Sequence, residues 1–283
     1  MKFFQIGIML FLLLRIPVTA LRVRFLNVGH GDACQLQTPG GKQLLIDSGP
    51  PEKDFRLHHS IGRRIDLLIL THAHLDHSGN MLRLFRSCSI ARFLEPGYPT
   101  KSPYYRKLLT AAHRKGTRIT MPVRGNRLRI ERNLSLLFLN PPRKLYRYTE
   151  SDCNNNSLIF LLQYHRWKIL FTGDAEQSAI KDVLRRFPGL RFQFLKIPHH
   201  GSRTGFSAAL YQNRGIKAAL LSSGRAKNRG NPLFPLITAA CQRNRIRLLR
   251  TDRLGNITFL LNRQSAQIIS AMPGAETFTT KIH

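Results

Sequence analysis

The sequence predicts an α/β chain of the α+β kind, in which two β-sheets pack face to face with helices outside, a four-layer αββα sandwich. Three observations predict it. Short apolar strands dominate each half, helical stretches follow them in both halves, and neither a repeat nor a linker divides the 283 residues. With 42% hydrophobic residues, the chain can fill the cores that such layers need.

Residues 1–20 read as a secretory signal. Met1-Lys2 is a basic start, Ile6 to Leu14 an apolar core, and Val18-Thr19-Ala20 a small-x-small cleavage site. Arg15 cuts the apolar run short of a comfortable membrane span, an uncleaved anchor being the alternative. The chain is therefore expected to be exported, periplasmic or extracellular, with no stable membrane span after signal cleavage. The sequence leaves its oligomeric state open.

Residues 21–262 form the expected domain. Leu21 to Val28 alternates as a half-buried strand, which Gly29-His30-Gly31-Asp32 breaks. Ala33 to Thr38, the turn Pro39-Gly40-Gly41, and Gln43 to Asp47 complete an opening meander. Asp66 to Thr71 is an apolar, buried strand. Ser78 to Cys88 reads as a helix, Arg92 to Leu94 as a strand, and Tyr104 to Lys115 as a helix that Gly116 stops. Arg118 to Met121, Arg127 to Ile130 and Leu134 to Asn140 are short strands, and Pro141 to Asn154 a polar loop near the site. Ser157 to Gln163 and Trp167 to Thr172 make a second hairpin before the helix Gln177 to Phe187. Phe192 to Ile197 is a strand, Ser207 to Asn213 helical, Ala218 to Ser222 a strand and Leu233 to Asn244 a helix. Arg247 to Arg250 and Asn256 to Leu261 close the sheet. Residues 263–283 read as a polar, frayed tail.

The chemistry collects at strand ends. Thr71-His72-Ala73-His74-Leu75-Asp76-His77 places three histidines and a carboxylate in six positions, a density that suits a borderline cation such as zinc. His72 and His74 can share one ion, and Asp76 with His77 can turn toward a second. Asp174 follows an apolar strand through Gly173 and can bridge two cations; alternatively it is a turn residue. His199 and His200 follow another strand. Lone histidines are usually satisfied core or surface residues, but this spacing after a strand provides the context a metal site requires.

Lys plus Arg number 45 against 15 acids, a formal charge of +30. Such a balance favours polyanions, whether nucleic acid, teichoic-type polymers or an anionic membrane surface. The basic residues are spread along the chain, so a solvated surface fits as well as a binding track. Four widely separated cysteines leave disulfides and buried free thiols both open. Ser202 lacks a recognisable acid–base partner, which argues against a covalent nucleophile.

The His-x-His-x-Asp-His pattern resembles the signature of metallo-β-lactamase fold hydrolases. Phe25-Leu26-Asn27-Val28-Gly29-His30-Gly31-Asp32-Ala33, Asn155-Asn156-Ser157-Leu158, Thr172-Gly173-Asp174 and Lys196-Ile197-Pro198-His199-His200-Gly201-Ser202 are similar to the soluble domain of ComEC-type competence proteins. Teichoic-acid phosphorylcholine esterases look similar over the same sites. The resemblance implies that Asp47, His72, His74, Asp76, His77, Asp174 and one of His199 and His200 hold two divalent ions, zinc foremost and manganese as the alternative. It also implies that Asn154-Asn155-Asn156 stands where most fold members carry a further histidine. His30 replaces a usual glutamine, and Asn231 stands where histidine is frequent.

The expected function is an exported metal-dependent phosphodiesterase or nuclease acting on DNA or RNA through an activated water. Asp76, Asp174 and His200 are the expected catalytic residues, with Lys196, Ser202, Asn156 and Asn231 on the substrate side. Lys196 is equally readable as a solvated strand residue. The alternatives are a small phosphodiester esterase of the phosphorylcholine type and a non-catalytic polyanion-binding module with a structural metal site.

Overall fold

The computed structural model describes residues 20–51, 62–212, 214–224, 234–270 and 280–282. Residues 1–19 of the signal-like segment and Asn231 lie outside the described residues. The opening meander is β1 (Leu21–Phe25), β2 (Cys34–Gln37) and β3 (Gln43–Ile46). Strands β5 (Leu67–Ile69), β7 (Arg92–Leu94) and β8 (Arg118–Thr120) continue from β3 in parallel. Between them β4 (Arg64–Ile65) and β6 (Ser89–Ile90) pair as a separate ribbon. On the other side of β1 lie β16 (Ile257–Leu261), β17 (Ala266–Ser270) and β18 (Thr280–Ile282), giving the order β18-β17-β16-β1-β2-β3-β5-β7-β8.

The second sheet contains β9 (Arg127–Glu131), β10 (Leu134–Asn140), β11 (Ile159–Tyr164), β12 (Trp167–Phe171), β13 (Phe194–Lys196), β14 (Ala218–Leu221) and β15 (Arg247–Arg250). It is antiparallel from β9 to β12 and parallel from β12 to β15.

Three apolar clusters separate the four layers. Between the sheets, Val23, Phe25 and Phe259 meet Phe160, Trp167 and Phe194. Phe25 stacks on Phe171 across the interface with ring centroids 5.8 Å apart. The outer face of the first sheet buries Leu45, Leu68 and Phe93 under α2 (Met81–Ser87) and α3 (Pro103–Arg114). The outer face of the second buries Leu161, Leu170 and Leu195 under α5 (Gln177–Arg186), α6 (Ala208–Tyr211) and α7 (Phe234–Arg243). Short α1 (Leu75–Ser78), α4 (Asp152–Asn155) and α8 (Thr251–Leu254) sit at strand ends.

Two expectations are corrected. The single helix expected over Ser78 to Cys88 is two, α1 and α2, broken at Gly79 and Asn80. A Cβ on Gly79 would lie 2.3 Å from the Pro51 backbone nitrogen, and the Asn80 amide donates to Ser48 O at 2.9 Å. These contacts fix the break. The tail beyond Arg263 is not frayed throughout, because β17 pairs with β16 and inserts Ala266 and Ile268 into the core between the sheets. Its alternation is short and diluted by polar neighbours. All four cysteines are free thiols.

Candidate metal centre

Parallel pairing brings the polar residues to one end of both sheets. Ile46 pairs with Ile69, so Asp47 emerges beside the turn that follows β5, its N–H donating to Ile69 O at 2.8 Å. In the second sheet Leu170 pairs with Leu195, and the His199 N–H donates to Gly173 O at 3.2 Å. The sheets touch where the Leu158 N–H donates to Thr71 O at 2.9 Å. Gly173 permits this approach: its φ is +50° and a Cβ there would lie 2.9 Å from Thr71 Cβ. Asp47, His199 and His200 also hold positive φ values of 56°, 46° and 48°. Backbone strain of this kind persists only where the surroundings over-determine it.

Four residues converge on one point. Asp76, His77, Asp174 and His200 each bring one donor atom within 4.8 Å of the others. His200 Nε2 lies 3.3 Å from Asp76 Oδ2, 3.3 Å from Asp174 Oδ2 and 3.2 Å from His77 Nε2. Beside this set, His72 Nε2 lies 3.0 Å from His74 Nδ1 and 3.8 Å from Asp174 Oδ2. Asp174 therefore stands between two groups of imidazoles. His72, His77, Asp174 and His200 are buried, whereas His74 reaches solvent.

The surroundings orient the rings. His200 Nδ1 donates to Ser222 O at 3.0 Å, leaving the Nε2 lone pair for the centre. His77 Nδ1 donates to Asp47 Oδ2 at 2.8 Å, which turns its Nε2 inward in the same way. Thr71 holds Asp47 from behind, through its N–H at 2.8 Å and its hydroxyl at 2.7 Å. The sequence places Asp47 among the expected ligands; in the structure both its oxygens face Thr71 and His77, the position of a residue that orients a ring. Asp32, Asp47 and His77 also bring donor atoms within 4.8 Å of one another, but His77 Nδ1 there already faces Asp47. Carboxylates behind imidazoles fix tautomer and basicity in metal sites generally.

The electrostatics call for positive charge. Burial opposes charging His77, yet Asp174 and Asp47 raise it well above the usual imidazole range. His200 is likewise opposed by burial and raised by Asp174 and Asp32, to about 9. Asp174 is held well below the usual carboxylate range, burial being outweighed by His200 and His77. Its Oδ1 is buried without an aligned hydrogen-bond donor among the described residues, although His77 Nε2 is 3.2 Å away. An orphaned carboxylate oxygen facing imidazole nitrogens whose other sides are already bonded fits a divalent cation.

Other expected residues fall differently. His199 sits at the rim, its Nδ1 3.0 Å from Thr204 Oγ1 and 3.3 Å from Glu176 Oε1, its Nε2 4.0 Å from Asp174. Lys196 is corrected from the substrate side to the interior: it is buried, 2.5 Å from Asp32 and donating to Ile197 O at 3.0 Å. Asn156 is corrected as well. It is fully buried and bonds Tyr146 N, Tyr146 O and Asp152 O, which closes the polar loop. Ser202 lies at the rim, its Oγ 3.0 Å from Thr204 Oγ1. Sequence reasoning passed over Asp32, Thr71, Glu176 and Ser222. Asp32 reads as a turn breaker, Glu176 as a helix start; only their neighbours in the motifs point to them. His30 lies 3.9 Å from Asp76, at the mouth.

Such a centre at the strand ends of an αββα sandwich defines a class. A profile of the Metallo-beta-lactamase superfamily matches residues 33–225, and the chain belongs to that superfamily and has the site of a metal-dependent hydrolase. It is similar to ComE operon protein 3 of Bacillus subtilis, 28% identical over 258 residues that cover 84% of this chain and 32% of that protein. Recombination protein 2 of Haemophilus influenzae is 27% identical over 215 residues, covering 72% of this chain and 24% of that protein. The chain thus spans about a third or less of the length of these relatives. Among solved structures, the metallo-beta-lactamase fold protein YhfI of Bacillus subtilis shares the fold at a TM-score of 0.55 and 12% identity, over 81% of this chain and 96% of that one. CmlA, a diiron beta-hydroxylase from Streptomyces venezuelae, does so at 0.56 and 14%, over 85% and 54%. Within the superfamily the resemblance to ComEC-type competence proteins holds.

Proposed function

We propose that the chain is an exported, metal-dependent phosphodiesterase that cleaves DNA or RNA. The observation that carries the reading is Asp174, a buried carboxylate with an orphaned oxygen set between His72 with His74 on one side and His77 with His200 on the other. His72, His74 and Asp174 would hold one divalent ion, and Asp76, His77, Asp174 and His200 a second, zinc or manganese. Bound there, the ions would supply Lewis acidity and lower the pKa of a water toward about 7.

The chain's own residues do the rest. Asp47 and Ser222 hold the rings of His77 and His200, so the nitrogens keep their aim without reorganisation. Asp76 is partly exposed at the mouth, and although burial opposes its charge, His200 and His77 hold its carboxyl below the usual carboxylate range, so it stays anionic there. His199, tied to Thr204 and Glu176, and Ser202 edge the opening where a phosphate would enter. A formal charge of +30 supports a polyanionic substrate over a neutral one. No helix among the described residues is long and apolar enough to cross a membrane; export rests on the signal-like first 20 residues.

Labelled DNA and RNA, and bis-(p-nitrophenyl) phosphate, test the reading with and without chelator. Cleavage of a nucleic acid should stop with EDTA and return with zinc or manganese, and His74→Ala should lower turnover more than about 100-fold. Turnover of the small diester alone would point to a small-substrate esterase. Salt-sensitive binding that survives chelation, with no turnover, would point to a binding module.

A further inference from the structure

A second basic feature lies apart from the strand ends. Helices α2 and α3 lie side by side on the first sheet, and an open groove of about 650 Å³ runs between them. Arg86 lines one wall; Arg106, Lys107, Arg114 and Lys115 line the other, with no carboxylate among its described lining residues. Leu82 and Phe85 form an apolar floor.

The local sequence explains the excess. Residues 81–120 contain nine Lys and Arg and one acid, Glu95. Glu95 is buried, accepting from the Tyr105 hydroxyl and, at 2.7 Å, from the Gly97 N–H. It therefore gives the groove no counter-charge. On α5 the arrangement differs: Asp182 gathers Arg124, Arg185 and Arg186. Arg106 with Lys107, and Arg114 with Lys115, stand about two turns apart along α3. A concave row of them is complementary to an anionic chain.

The row also points toward the metal centre. The hydroxyl of Tyr104, in the first turn of α3, donates to Ser78 O at 2.8 Å and Gly79 O at 3.0 Å, the residues directly after His77. From Arg106 to Lys115 the helix rises about 13 Å, room for a few phosphates of one strand. A lipid surface would engage projecting apolar side chains beside the cations. The exposed large hydrophobics among the described residues, Leu75, Met121, Tyr148 and Leu236, all lie outside the groove lining.

We propose that the groove between α2 and α3 is a phosphate-backbone track for single-stranded nucleic acid, holding the strand whose scissile diester reaches the metal centre. The proposal rests on the nucleic-acid reading above and adds where that substrate is gripped.

The test uses the full chain and a fluorescent single-stranded DNA oligonucleotide, with binding read by anisotropy in EDTA between about 50 and 200 mM salt. Lys107→Gln/Arg114→Gln/Lys115→Gln should bind about 10-fold or more weakly, with the slope of log affinity against log salt reduced by about 2, since each single-strand phosphate contact contributes about 0.7. Arg86→Gln on the facing helix should lower the slope by about 0.7. The charge-conserving Lys107→Arg/Arg114→Lys/Lys115→Arg should keep affinity and slope; a matching melting temperature shows that each variant is folded. Wild-type affinity and slope in both neutralised variants would overturn the proposal. So would binding of phosphatidylglycerol vesicles that the triple variant loses while DNA binding persists, or no DNA binding by the wild type. Because turnover is suppressed in EDTA, failure to cleave in the metal-containing assay would sink the nuclease reading and leave the groove standing; cleavage with unchanged binding in the variants would do the reverse.

Discussion

At the scale of single residues, Asp47 carries the most consequence for its size. It touches Thr71 twice and His77 once, and its left-handed backbone turns the carboxylate under the ring. Asp47→Ala should leave the fold in place but weaken divalent-ion affinity about 10- to 100-fold, measured by chelator competition, because the His77 ring loses its orientation. Unchanged affinity would mean that His77 is positioned by packing alone. The sequence showed Asp47 at a strand end and thus near the centre; it could not show that both oxygens point back into the protein. The same limit applies to Lys196 and Asn156, whose side chains turn inward to Asp32 and to the loop backbone. Residue type and strand position are written locally, whereas the direction of a side chain depends on its partners in the fold: Thr71 and His77 for Asp47, the loop backbone for Asn156, and Asp32, more than 100 positions away, for Lys196.

Among the elements, the hairpin β11–β12 delivers Asp174 through one glycine. Gly173→Ala must place a Cβ against Thr71 at a φ of +50°. A loss of about 1–3 kcal/mol is expected in urea unfolding, together with reduced metal affinity. Helix α5 behind this hairpin is fixed by Asp182, which accepts from Arg124, from Arg185 at 2.6 Å and from the Tyr146 hydroxyl at 2.9 Å. Burial opposes its charge, but Arg185, Tyr146 and Arg124 hold its pKa below the usual carboxylate range. A group depressed in the folded state adds stability above its unfolded pKa, about 3.9, and that stability is lost as pH falls toward the folded value. Asp182→Asn should therefore cost roughly 1–3 kcal/mol near neutral pH, with the gap to wild type closing below about pH 4. A constant gap in acid unfolding would contradict the assignment. Most strands were legible because each buried run carries its own apolar signal. The break at Gly79 was not, because it comes from contact with Pro51, distant in sequence.

Over the whole molecule, two sheets meet along one apolar core, and the polar residues gather where their parallel strands end. The αββα order was legible because strands precede helices in both halves. Strand β17, between β16 and β18, was not, since only Ala266 and Ile268 of its five residues enter the core. Ile268→Ala should lower stability by about 2–5 kcal/mol in denaturant unfolding, and a frayed tail would show no change. The central claim is that this architecture assembles a centre for two divalent ions around Asp174. Elemental analysis of the purified chain, loaded with zinc and desalted, tests it most directly. About two ions per chain are expected in the wild type and fewer than about one in Asp174→Asn, with the same circular dichroism in both. A wild type that retains no metal, or an Asp174→Asn variant that retains as much as the wild type, would contradict it.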